Sequence, residues 1–220
     1  MKTLSKTILA ATAAFGLAVS SFAAPILVVF DDTSLVAISD NSAGDTAAGA
    51  GEISWADASF GIWNLAISGV TGGTITNPTL QLSISATSSV GGFLGVYYGD
   101  TDFGPTNSNL HAWIAGALAS GEVENWTYAF DGNDVSDPGY YTSVVTSDLH
   151  TGSPFGGAAS ALFSAVGPYG LANAVYLTTT SGGSSIIGAS LSVPDTGSTA
   201  LLLAVGLFGL GAMARRQKLA

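Results

Sequence analysis

Thr79-Leu-Gln-Leu-Ser-Ile-Ser-Ala-Thr87 alternates polar and apolar residues without a break. A side-chain period of two belongs to a strand with one buried face, so Leu80, Leu82, Ile84 and Ala86 are expected to face a core. The pattern recurs at Glu122-Val-Glu-Asn-Trp-Thr-Tyr-Ala-Phe130, where Trp126, Tyr128 and Phe130 share a face and Val123 lies opposite. Further strands are expected at 26–30, 35–39, 62–68, 93–98, 112–118, 140–146, 160–166, 174–180 and 185–192. Turn chemistry separates them: Asn41-Ser-Ala-Gly-Asp45, Gly72-Gly73, Asn77-Pro78, Gly91-Gly92, Asp131-Gly132, Asp137-Pro-Gly139 and Gly182-Gly183. No apolar period of 3.6 persists, and Ala-rich Gly156 to Ala165 is the one stretch that could hold a turn of helix. The expected class is all-β, an antiparallel β-sandwich or jelly roll of about 8–11 strands.

Charge limits what can hold such a fold together and what it can touch. The chain has 220 residues and a formal net charge of −10, and its cations are Lys2, Lys6, Arg215, Arg216 and Lys218 alone. All 15 carboxylates lie between them, in a body with no Lys or Arg. Such a body cannot displace counterions from nucleic-acid phosphates or bind anionic headgroups as a peripheral partner. It forms no Lys or Arg salt bridge, and the absence of Cys leaves no disulfide. Apolar burial and backbone hydrogen bonds must suffice.

The cations flank two apolar ends. Lys2 and Lys6 precede an uncharged run from Ile8 to Val19, and Ser21 and Ala23 are small. This layout is that of a secretory signal peptide at 1–23, cut by signal peptidase between Ala23 and Ala24. At the other end, 16 uncharged residues from Thr199 to Ala214 precede Arg215, Arg216 and Lys218. As a helix they span about 24 Å, slightly short of a ~30 Å hydrocarbon core. The basic tail, 215–220, is expected to stay cytoplasmic, leaving the 24–192 domain outside.

Val193-Pro194-Asp195-Thr196-Gly197-Ser198-Thr199, followed by that apolar run and Arg215-Arg216, resembles the VPDSG-CTERM variant of PEP-CTERM sorting signals. Thr196 stands where the variant usually has Ser and keeps the hydroxyl. The resemblance covers 193–220. It implies that a membrane protease-transpeptidase of the exosortase type recognises the motif and removes the helix. The protein would then pass to the cell surface or extracellular matrix of a Gram-negative-type bacterium, in an exopolysaccharide setting. The plain alternative is a single-span anchor that nothing cleaves. The body also resembles PEP-CTERM surface proteins with no assigned activity, through Asp40-Asn41-Ser-Ala-Gly44-Asp45, Leu80-Gln-Leu, Ala86-Thr-Ser-Ser89, Asp100-Thr-Asp-Phe103 and Pro168-Tyr169.

Candidate chemistry in the body is sparse. His111 and His150 are its histidines, no Gly-x-Ser-x-Gly elbow occurs, and nucleophilic catalysis has little support. Glu122 and Glu124 lie two apart on one strand face, ~6.6 Å at strand rise and near glycosidase spacing. An outward Glu-x-Glu is also an ordinary solvated pair, so the expected function is non-catalytic. Calcium is the ligand best suited to the carboxylates. Asp131, Asn133, Asp134 and Asp137 fall in one short loop, and Asp100 and Asp102 in another, neither with EF-hand spacing. Asp and Asn favour turns for local hydrogen bonding too. Asn125-Trp-Thr127 matches a glycosylation pattern by chance.

Four Trp (55, 63, 113, 126) and Tyr97, Tyr98, Tyr140 and Tyr141 could stack on sugars. Most are expected in the core, with Tyr140-Tyr141 the exposed pair. Two functions therefore stand together: a surface or matrix protein processed through its C-terminal signal, and a lectin-like module binding exopolysaccharide, with calcium as its candidate cofactor.

Overall fold

The alternating segments pair into two antiparallel sheets in the computed structural model of the chain, which describes residues 24–131, 141–146 and 149–194. Sheet A contains β1 (Ile26–Asp31), β2 (Leu35–Ser39), β6 (Gly92–Phe103), β8 (Glu122–Asp131), β9 (Tyr141–Thr146), β10 (His150–Thr151) and β12 (Tyr169–Thr179). Sheet B contains β3 (Glu52–Phe60), β4 (Trp63–Thr74), β5 (Asn77–Ser88), β7 (Thr106–Ala117), β11 (Phe155–Ala165) and β13 (Gly183–Ser192). The order in A is β10-β8-β12-β6-β1-β2, with β9 also on β8, and in B it is β11-β7-β13-β5-β4-β3. The fold is the expected all-β sandwich.

The core lies between the sheets and follows the alternation. Leu80, Leu82, Ile84 and Ala86 of β5 are all buried in it, with Leu65 and Ile67 of β4 and Ile187, Ala189 and Leu191 of β13. Sheet A contributes Leu27 and Val29, Leu94 and Val96, Val123 and Ala129, and Leu171, Val175 and Leu177. Two side chains cross the core as polar links. Trp63 Nε1 donates to the Phe93 carbonyl at 3.2 Å. Tyr98, fully buried, donates to the Gly51 carbonyl at 3.0 Å and shares a hydrogen bond with Thr71 Oγ1 at 2.9 Å. Its ring fills the space a Cβ would take at Gly69 on β4, so only glycine fits there.

Several expectations change. The 156–165 stretch is strand, not helix: β11 pairs with β7 from Phe155↔Gly116 to Ala165↔Thr106. Its small residues alternate between more and less exposed positions, so it can lie along a sheet edge without bulk on either face. Strand β3 was not expected, although Ile53 and Trp55 turn inward in it. Gly72-Gly73 and Asn77-Pro78 do not interrupt the sheet, because β4 and β5 continue pairing to Thr74↔Asn77. With β10 included, thirteen strands are described, against the 8–11 expected.

Both ends of the described chain leave the sandwich on the same side. Ile26 pairs with Gly99 near the end of β6, and Ser192 pairs with Thr79 at the start of β5. Gly104 N–H donates to the Ile75 carbonyl, joining the β4–β5 and β6–β7 connections there.

Tyr98→Phe is expected to keep the ring on Gly69 and to lose the phenol's two hydrogen bonds, while the Gly51 carbonyl still accepts from Thr71 N–H and the Thr71 hydroxyl still reaches Asp100. Urea unfolding should show a loss of about 1–3 kcal/mol with an unchanged slope.

Candidate functional site

Strands β7, β13, β5 and β4 lie side by side in sheet B, and their alternation sends every second residue outward. Register then sets rows across the strands. Trp113 pairs with Ser190, Ser190 with Gln81, and Gln81 with Val70. One step along, Ala115 pairs with Gly188, Gly188 with Ser83, and Ser83 with Ser68. At ~4.8 Å per strand, the first row runs about 14 Å from the indole to Val70. A groove of about 370 Å³ lies along these rows, lined by Ser68, Val70, Gln81, Leu82, Ser83, Trp113, Gly188, Ala189 and Ser190.

Its chemistry is simple. No charged side chain lines it. Trp113 is 49% exposed, although a large aromatic ring is ordinarily mostly buried. The absent side chain at Gly188 leaves the floor beside the ring open, 3.9 Å being the nearest approach of the indole to a Cβ built there. Hydroxyls and one amide surround an apolar ring: donors and acceptors for neutral polar groups, and a flat face for aliphatic C–H. Trp113 stood among the sequence candidates, but the serines and Gln81 around it did not. A Ser on an alternating strand signals only that its side chain is outward.

The other aromatics lie elsewhere. Trp63 and Tyr98 are core, and Trp55 packs edge-on against Phe60. Trp126 stacks on Tyr128 on the outer face of sheet A, where Phe93 stacks on Tyr176. Tyr97 belongs to the same half-buried layer. Tyr140 and the side chain of Tyr141 lie outside the described residues. Glu122 and Glu124 share the outer face of sheet A, as expected, with Val123 in the core. His111 is exposed in the middle of β7, not at its start, and His150 stacks on Phe155 with ring centroids 5.3 Å apart. Asn125 is fully buried, which removes it as a glycosylation acceptor in the folded chain.

Of the acidic candidates, Asp100 and Asp102 have described side chains. Asp100 is buried, with one carboxylate oxygen accepting from Thr101 N–H at 2.8 Å. Asp102 is exposed near the end of β6, with a left-handed backbone at φ 64° beside the irregular pairing of β12. Tyr169 pairs with both Phe103 and Asp131, so the ends of β6 and β8 are level, two strands apart. Asn133, Asp134, Asp137 and the Asp131 side chain lie outside the described residues. Among the described residues no three His, Asp or Glu side chains are grouped to hold a metal.

Two carboxyls there have shifted protonation, in opposite directions. Burial pushes Asp100 up, hydrogen bonds from Thr71 and Thr101 pull the other way, and the charges of Asp40 and Asp102 add to the rise. For Asp45, burial also acts upward, but backbone N–H donors from Ser54, Ala47 and Asn41 hold the carboxyl below its usual range.

The C-terminal motif begins inside the fold. Val193 is in the core cluster and Pro194 is exposed, while Asp195, Thr196, Gly197, Ser198, Arg215 and Arg216 lie outside the described residues. So do Ala23, the 1–23 leader and the expected 199–214 helix, whereas Ala24 opens the described chain.

Comparison with known proteins places a sorting signal here. Residues 192–218 match the family described as the VPDSG-CTERM motif, so the chain carries a PEP-CTERM-like sorting segment. That motif implies export and handling by an exosortase-type enzyme. No curated protein matches. Among solved structures, the chain is similar to carbohydrate-binding modules of the β-sandwich superfamily, at 12% identity and TM-score 0.34, covering 74% of this chain and 70% of the other. It is also similar to the enzymatically active domain of tailspike protein 4 of bacteriophage CBA120, at 10% identity and TM-score 0.32, covering 59% of this chain and 19% of the other. YcfD, a ribosomal oxygenase from Escherichia coli, gives 9% identity and TM-score 0.21 over 91% of this chain and 48% of the other. Likeness this distant transfers no activity.

The two carboxyls give a paired test. A raised folded pKa means stability that is present below the unfolded value and lost as pH rises through the folded one. Asp100→Asn is therefore expected to melt higher than wild type at pH 7, with the gap closing as pH falls through the raised folded value towards the unfolded value of ~4. A lowered folded pKa means stability present above the unfolded value and lost as pH falls through the folded one. Asp45→Asn is expected to melt lower at pH 7, and again the gap closes in acid. Melting curves from pH 3 to 8 check both signs.

Proposed function

We propose that this chain is an exported, non-catalytic cell-surface or matrix protein, processed through its C-terminal signal, whose sandwich binds exopolysaccharide at the Trp113 groove. The match of residues 192–218 to a sorting motif supports the first part. Charge segregation supports the same topology, with cations only beside the two apolar ends and the anionic body between them. Signal peptidase and an exosortase-type transpeptidase are the proposed processing partners, with the membrane holding the chain until the helix is removed.

The exposed indole among hydroxyls carries the second part. A pyranose offers a C–H face that stacks on an aromatic ring and rim hydroxyls that pair with Ser and Gln side chains. Ser68, Ser83, Ser190 and Gln81 stand along the groove from Trp113 at neighbouring strand spacings. The groove carries no cation and the body around it is anionic, so the sugar polymer is expected to be neutral rather than acidic. Nothing in the groove offers the paired titrating groups that glycoside hydrolysis uses.

Affinity electrophoresis of the full chain in mild detergent, with neutral glucans in the gel, tests the binding. Retardation is expected, and Trp113→Ala should weaken it at least about tenfold. Gly188→Val, which fills the groove floor, should weaken it similarly. Leu162→Ala, 73% exposed on the neighbouring β11, should not. Equal retardation of Trp113→Ala and wild type would remove the groove as the binding site.

Calcium is proposed for the loop that opens at Asp131, with Asp100 and Asp102 as neighbouring carboxylates, on ligand type alone. A hundredfold excess over Kd should raise the melting temperature by about 5–10 °C, and EDTA should reverse it. No difference between calcium and EDTA rejects the ion.

A further inference from the structure

The sorting motif does not hang free of the domain. Strand β13 lies between β5 and β7, and its last residue, Ser192, still pairs with Thr79 and His111. Val193 continues the strand into the core and is 2% exposed. Its N–H donates to the Pro78 carbonyl at 3.0 Å. The Pro194 carbonyl accepts from Ser108 Oγ at 3.0 Å, while the Pro194 ring is exposed. The first two residues of the motif are thus held by β5 and β7, one by packing and both by hydrogen bonds.

A peptidase must lay an extended segment of substrate in its own groove, with the scissile carbonyl free for attack. Ser192 is paired on both sides inside the sheet, and Val193 and Pro194, just past its end, are each held to one neighbouring strand, so all three meet that need only after local opening. Resting on the processing read from the motif above, we infer that the sandwich sets the upstream limit of sorting cleavage. The scissile bond lies beyond Pro194, whose own carbonyl Ser108 holds, and Val193 and Pro194 stay with the domain. In that step the peptide C–N bond breaks, and its carbonyl carbon bonds to water or to the amine of an acceptor. The leaving apolar segment keeps the nitrogen and takes the proton. The product loses no core residue, because Val193 remains in the core cluster that also holds Leu191 and Leu80.

The consequence separates two kinds of information. Sequence recognition marks the motif, and the fold decides how far upstream of it the enzyme can reach. In sequence, four motif residues separate Pro194 from the apolar run that begins at Thr199.

Two maps of the carboxyl terminus test this. In the first, protein extracted from the cell surface is analysed by intact mass and C-terminal peptide sequencing. The expected terminus is Asp195 or a later motif residue, carrying either a free carboxyl or the added mass of an acceptor amine. A terminus at Pro194 or earlier overturns the inference while leaving processing intact. A surface protein that still ends at Ala220 overturns the processing reading itself. In the second map the full chain in detergent is digested with proteinase K, which needs no sorting enzyme. The surviving domain should end at Asp195 or beyond, and a surviving domain trimmed to Pro194 or earlier overturns the shielding, whatever the surface protein shows.

Discussion

Burial of one apolar layer between two sheets carries this structure almost alone. With no Lys or Arg in the body, no carboxylate there has a Lys or Arg to pair with. Neutral hydrogen bonds do what little polar linking the core contains. Tyr98 and Trp63 cross from one sheet to the other, and each ends on a backbone carbonyl of the facing element. Tyr98 also dictates its neighbours: its ring requires glycine at position 69, and its hydroxyl ties the loop before β3 to β4 through Gly51 and Thr71.

The same constraint shapes the two outer faces differently. On sheet A, rings lie over glycines, Phe30 above Gly95 and Phe130 above Gly170, and join Phe93, Tyr128 and Tyr176 in a second apolar layer. On sheet B the outward residues along β5 are Thr, Gln and Ser, and β4 and β13 add Asn64, Ser68, Ser184 and Ser190 beside Ala66, Val70 and Ile186, so the face hydrates without charge. A single large ring in that setting has no packing purpose, so Trp113 is better understood as a contact for something else. An anionic protein with an uncharged, hydroxyl-lined face suits a neutral polymer, because a charged one would meet the repulsion of the whole body.

Much of the fold was legible in the residues. Alternation in 79–87 placed the inward face correctly, since a period of two leaves no choice once only one face is apolar. In 122–130 it grouped Trp126, Tyr128 and Phe130 opposite Val123, but that aromatic face turned outward, and Val123 and Ala129 face the core with Asn125 and Thr127 buried between them in the strand. Gly156 to Ala165 misled because Gly and Ala carry almost no periodic signal, and composition suggested helix where pairing to β7 decided otherwise. Strand β3 was missed because Ile53 and Trp55 are its only strong inward residues before Phe60. Trp113 was visible as an aromatic but not as a site. Ala112-Trp113-Ile114 is apolar at every position, and only the register with Ser190 and Gln81 shows which side the indole takes.

The sequence by itself determined the strand-forming pattern, the acidic cation-free body and the sorting segment, because each is written in residue types at fixed local spacings. Tertiary structure decided what lay next to what. It set β7, β13 and the β4–β5 hairpin side by side, so that serines from β13, β5 and β4 line one groove with a tryptophan from β7. It also ran the last strand straight into the motif, making Val193 a core residue before it is anything else. Those two outcomes follow from long-range pairing and burial, which no local stretch of residues encodes.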